Sequence, residues 1–176
     1  MAYLSFLTVL DALKTRLASL PLDPADASAD PDKLFERVEY YGANDLPQAL
    51  MDLLVIQQRV CVIVPASWDH QNERDRVMFK SVRTIHLDLY IADRAMTLRD
   101  QAALVGGAKN LGILAMADRV VTNLAGTIFA TPNFVVEPTL GTPVVISSAE
   151  KKNLPGREAF LQAVTILAGM IRATVP

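Results

Sequence analysis

A regular alternation of apolar and polar side chains between residues 77 and 91 constrains the fold of this chain more than any other feature. From residue 83 onward the alternation is unbroken: the apolar side chains are Ile85, Leu87, Leu89 and Ile91, and the polar ones are Thr84, His86, Asp88 and Tyr90. A period of two is typical of a β-strand that buries one face and turns the other toward water or a partner. Since a parallel strand covered on both sides would be apolar on both faces, the pattern predicts an antiparallel sheet with helices on one side.

Further strands are indicated on both sides of this one. Residues 59–65 are β-branched and apolar on both faces, which predicts a strand in the interior of the sheet that ends at Pro65. Residues 34–41 and 157–167 also favour strands. Residues 133–137 and 142–148 favour two more, and the turn residues 138–141 between them predict a hairpin.

Three segments have helical periodicity. Residues 2–20 are ended by Pro21, a second helix begins at Asn44 or Asp45 with Pro47 in its first turn, and residues 111–125 are ended by Gly126. The apolar stripe of the first helix is Tyr3, Phe6, Leu7, Leu10, Leu13, Leu17 and Leu20. The stripe of the third is Leu111, Leu114, Ala117, Val121 and Leu124, widened by Ile113, Met116 and Val120. The sequence therefore predicts an α+β fold with a single mixed, mostly antiparallel sheet and helices packed on one face.

Length and composition predict one domain, residues 1–176, with apolar surface to spare. Hydrophobic residues make up 51% of the 176 residues, and the net charge is only −2. The mean hydropathy of +0.26 is high for a monomer, so we expect part of the apolar surface to be buried between subunits. The near-neutral charge gives no indication of sequence-specific nucleic-acid binding. With a single cysteine, Cys61, and no targeting or membrane-spanning segment, the chain is expected to be cytoplasmic.

Two polar segments interrupt the predicted elements. Residues 21–32 form an acidic, proline-rich loop whose aspartates lack the spacing and the glycine of a calcium loop. Residues 66–76, called the arm from here on, lie between two strands and contain the only tryptophan, Trp68. The arm is predicted to be a hairpin loop or a projecting ribbon. It is either a solvated connection or a protein-contact surface, because tryptophan and arginine are favoured interface anchors.

No catalytic or cofactor motif is evident, so neither an enzyme nor a cofactor is predicted. The glycines at 106 and 107 precede a helix without the spacing of a phosphate-binding loop, and no Gly-x-Ser-x-Gly sequence is present. His86, Asp88 and Tyr90 share one face of the long strand and could bind a metal or relay a proton. A polar stripe that faces solvent or a partner explains the same alternation.

The order of these elements resembles that of the tail terminator (tail completion) proteins of long-tailed bacteriophages and prophages. The resemblance includes the N-terminal helix, the strand ending in Val-Ile-Val-Pro65, the polar arm, the long strand with His-Leu-Asp-Leu-Tyr90, and the closing region with Leu-Pro-Gly-Arg-Glu158. It implies a mixed α/β sheet and a hexameric ring. Such a ring caps the tail tube, ends its polymerisation and receives the head–tail connector.

If the resemblance holds, the partners are copies of the same chain, the tail tube protein and the connector protein. The protein would be cytoplasmic during assembly and then part of the virion tail. The predicted contact residues are Trp68, Arg74 and Arg76 on the arm, and His86, Asp88 and Tyr90 on the long strand. The alternative is a small, oligomeric cytosolic enzyme or ligand-binding domain with a pocket near His86 and Asp88.

Overall fold

A computed structural model describes residues 6–74, 79–95, 111–130, 133–145, 158–169 and 173–174 of the chain. The helices are α1 (Phe6–Ala18), α2 (Leu46–Ile56) and α3 (Ile113–Leu124), and a short 3₁₀ turn, Ala43–Asp45, precedes α2. The strands are β1 (Arg37–Tyr40), β2 (Arg59–Arg74), β3 (Phe79–Ala95), β4 (Ile128–Ala130), β5 (Asn133–Val145), β6 (Glu158–Gly169) and β7 (Ala173–Thr174).

All of these strands belong to one sheet. Its order is β1-β2-β3-β6-β5-β4, and β7 pairs with one end of β3. β1 runs parallel to β2, whereas the other neighbouring strands are antiparallel. The predicted α+β class with a mixed, mostly antiparallel sheet is therefore confirmed.

The alternating strand is the central element of the sheet. β3 pairs with β2 along one edge and with β6 along the other. Its apolar series from Ile85 to Ile91 is fully buried, whereas His86, Asp88 and Tyr90 are half-buried. The alternation in the sequence thus matches the burial of the side chains along this strand.

The sheet carries an apolar cluster on each face, because β2 is apolar on both of its faces. Cys61 and Ile63 pack into the large core with the apolar faces of α1 and α3. Val60, Val62 and Val64 point the other way and pack beneath α2. The expected placement of helices on one face therefore holds for α1 and α3 but not for α2, which covers the second apolar face of β2.

The buried faces of α1 and α3 are rotated from the stripes that the spacing suggested. In α1 the buried side chains are Val9, Leu10, Leu13 and Leu17, and Leu7 is 56% exposed. In α3 the residues expected only to widen the stripe form its centre, while Leu114 is 38% exposed. α3 ends before Gly126, whose φ of +65° is a conformation that glycine adopts readily, as expected for a helix stop.

Two predicted strand ends are wrong, because β2 and β5 both continue past prolines that were expected to end a strand or form a turn. β2 does not end at Pro65 but continues to Arg74, with a shift of register between Pro65 and Ser67. The predicted hairpin at 138–141 is likewise part of a single strand, β5, which shifts its register against β6 between Leu140 and Pro143. Pro65 and Pro143 flank these shifts, and a bulge tolerates a residue that cannot donate to the ladder. Pro138 lies opposite Ile166 in the regular part of β5.

β3 continues past the alternating segment to Ala95, and residues 96–110 lie outside the described part. Near the C-terminus, Ala173–Thr174 forms β7 against Lys80 and Ser81. None of the helices in the described ranges has the length and hydropathy needed to span a bilayer.

Candidate functional site

The arm, as far as Arg74, forms a ribbon with the first half of β3. Its residues up to Arg74 continue β2 and pair with the first half of β3, from Ser67 opposite His86 to Arg74 opposite Phe79. β6 accompanies β3 only as far as Thr84, so the ribbon extends beyond the end of β6, and there β7 pairs with Lys80 and Ser81 of β3. Trp68 lies opposite Ile85 in this register. Arg76 is outside the described residues.

The three polar residues predicted on β3 lie on the face of the sheet that carries α2. Asp88 is directly opposite Val64, and Tyr90 is opposite Val62; both valines belong to the cluster beneath α2. Directly opposed residues share a face, so His86, Asp88 and Tyr90 form one row there. Tyr90 packs against the α2 cluster, and its pKa is raised by burial and, secondarily, by the carboxylate of Asp88.

This row borders the apolar cluster beneath α2. His86 and Asp88 both take part in interactions within the folded chain. Within the described ranges, no group of three or more His, Cys, Asp or Glu side chains is arranged to hold a metal ion. The thiol of Cys61 is completely buried and its pKa is raised by that burial, which makes it a poor nucleophile.

A charged cluster that the sequence prediction did not include lies at the far end of β3. Asp93 is fully buried and lies opposite Arg59 of β2. Neither of its carboxylate oxygens accepts a hydrogen bond of good geometry from the described residues. Burial raises the pKa of Asp93, while the positive charge of Arg59 and the nearby side-chain amide of Gln58 oppose that shift.

Arg59 connects this cluster to the segment that precedes β1. Its Nε donates a hydrogen bond to the carbonyl oxygen of Leu34 at 3.0 Å, and one of its terminal nitrogens lies 3.6 Å from the Glu36 carboxylate. Glu36 in turn accepts a hydrogen bond from the backbone N–H of Gln58 at 2.8 Å. The guanidinium is thus held mainly by acceptors that precede β1. It acts on Asp93 only through its charge, which lowers the pKa of Asp93, whereas burial raises it.

The sequence did contain a signal for this buried carboxylate. Asp93 occupies the next position in the apolar series of β3, two residues after Ile91. If the predicted strand had continued beyond residue 91, Asp93 would have been expected at a buried position. A carboxylate at such a position is unusual and indicates a candidate site.

Open grooves follow α1 on two sides. Grooves of about 700 Å³ and 300 Å³ lie between α1 and residues 30–40, and a third, of about 480 Å³, lies between α1 and Phe129 of β4. α1 is therefore flanked by the first and the last strand of the sheet order. The alternative function predicts a pocket near His86 and Asp88. Neither residue lines any of these three grooves.

Lys14 forms the wall between the two grooves on the β1 side. Its ammonium group pairs with Glu39 of β1 at 2.5 Å and lies 5.3 Å from the centre of the Tyr40 ring. Arg37 binds the other oxygen of the Glu39 carboxylate at 2.7 Å. Charged side chains on a short outer strand are a common means of preventing uncontrolled strand pairing.

The substitution Lys14→Met is expected to lower the free energy of unfolding by no more than about 1 kcal/mol, because the ion pair is partly exposed to solvent. Urea unfolding at low and high salt checks this value. The exposed Arg16→Met change on the same helix is the control. A loss of several kcal/mol for Lys14→Met would show that the contact with Glu39 and Tyr40 is a structural anchor of α1.

Comparison with known proteins does not assign the chain to a family. No protein-family model matches the sequence, and no curated protein matches it.

Proposed function

We propose that the protein is a structural subunit of a bacteriophage tail, which forms a ring on the tail tube, ends its polymerisation and joins it to the head connector. The observation that carries the proposal is the ribbon formed by the arm and the first half of β3. In the described residues β1 pairs with β2 only as far as Ile63, so the rest of β2 in this extension offers contact surface and backbone hydrogen-bonding groups to a neighbouring subunit.

Exposed apolar side chains support self-association. Ile56 at the end of α2 is 76% exposed, Ile128 on β4 is 66% exposed, and Leu7 on α1 is 56% exposed. These three side chains lie on different elements. A ring needs such an arrangement, because each contact joins one surface of a copy to a different surface of its neighbour. Contacts of this kind generate a closed ring when the rotation between copies closes.

The proposed mechanism is geometric and involves no covalent chemistry. One face of the ring stacks on the last ring of the tube and occupies the surface to which the next tube subunit would add. The opposite face binds the connector. The arm residues Trp68, Arg74 and Arg76 and the β3 row His86, Asp88 and Tyr90 are the proposed contacts.

The mass of the protein in solution tests the ring directly. Sedimentation velocity and electron microscopy of the purified chain are expected to show a closed ring, with six copies as the number implied by the resemblance. A compact monomer or dimer that binds a small molecule, and loses it in the His86→Ala variant, would contradict the proposal and favour the ligand-binding alternative.

The double substitution Arg74→Ala with Arg76→Ala is expected to weaken assembly at least tenfold in subunit concentration, because arginine is among the strongest interface anchors. Analytical ultracentrifugation over a dilution series measures the change. The matched control is Arg37→Ala, an exposed arginine on β1. Unchanged assembly in the double variant would remove the arm from the proposed interface while leaving the ring itself open to test.

A further inference from the structure

We draw no further inference here: the strongest candidate, the groove between α1 and the outer side of β1, is lined by charged side chains of both signs, and nothing in the structure shows what chain or ligand would lie in it.

Discussion

Replacing Leu13 by alanine is expected to lower the free energy of unfolding by about 2–5 kcal/mol, the range found for leucine-to-alanine changes in tightly packed cores. Leu13 is fully buried at the middle of α1 and packs into the large core of the sheet. The loss combines the missing hydrophobic burial with the cavity left behind. Urea unfolding followed by far-UV circular dichroism measures the change.

Leu7 provides a matched control on the same helix. The Leu7→Ala change removes the same atoms and alters helix propensity by the same small amount, but Leu7 is 56% exposed. We expect a change within about 0.5 kcal/mol for this variant, as for most surface substitutions. Equal losses for the two variants would contradict the packing of α1 against the sheet through its Leu13 face.

Replacing Asp93 by asparagine is expected to raise stability near neutral pH by about 1–3 kcal/mol, the usual cost of a buried polar group without a partner. Asparagine preserves the shape of the side chain and removes the charge that burial disfavours. Chemical unfolding of both proteins at pH 7 gives the difference.

The pH dependence gives a second readout of the same group. Because the pKa of Asp93 is raised in the folded protein, the folded state binds the proton more tightly than the unfolded state does. The contribution of the Asp93 carboxyl group to stability is fully present below the ordinary pKa of an aspartate. It is lost as the pH rises through the raised pKa of Asp93 in the folded protein. The Asp93→Asn variant is therefore expected to lose less stability than the parent as the pH rises through this window.

Two further variants separate this effect from general changes in charge. Asp11→Asn removes an exposed carboxylate and is the control for net charge. Arg59→Met is expected to cost more stability in the parent than in the Asp93→Asn background, because only the parent has a buried negative charge that Arg59 stabilises. A less stable Asp93→Asn protein at pH 7 would mean that the carboxylate has a strong partner in the folded state.

Side-chain periodicity predicted the strands whose apolar residues are buried in a regular pattern along the sequence. The alternation around Leu87 identified the central strand, and the β-branched run from Val60 to Val64 identified its interior neighbour. The same run also indicated two apolar faces. Helices were nevertheless expected on one face only, so the position of α2 over the second face was not predicted.

The errors arose where tertiary pairing overrides local preference. Pro65 and residues 138–141 have strong turn propensity, yet long neighbouring strands provide enough pairing for β2 and β5 to continue past them with a shift of register. The candidate site shows a similar limit. His86, Asp88 and Tyr90 followed from alternation. The spacing along β3 also marks Asp93, but its grouping with Arg59 and Glu36 depends on contacts between segments far apart in the sequence.

The burial of Cys61 makes this protein well suited to site-specific labelling. It is the single cysteine of the chain, and its side chain is closed off in the middle of the sheet. A thiol introduced at a solvent-facing position should therefore react with a maleimide dye without removal of the native cysteine. Fluorescence energy transfer between subunits labelled in this way would then report the spacing and the number of copies in an assembled particle.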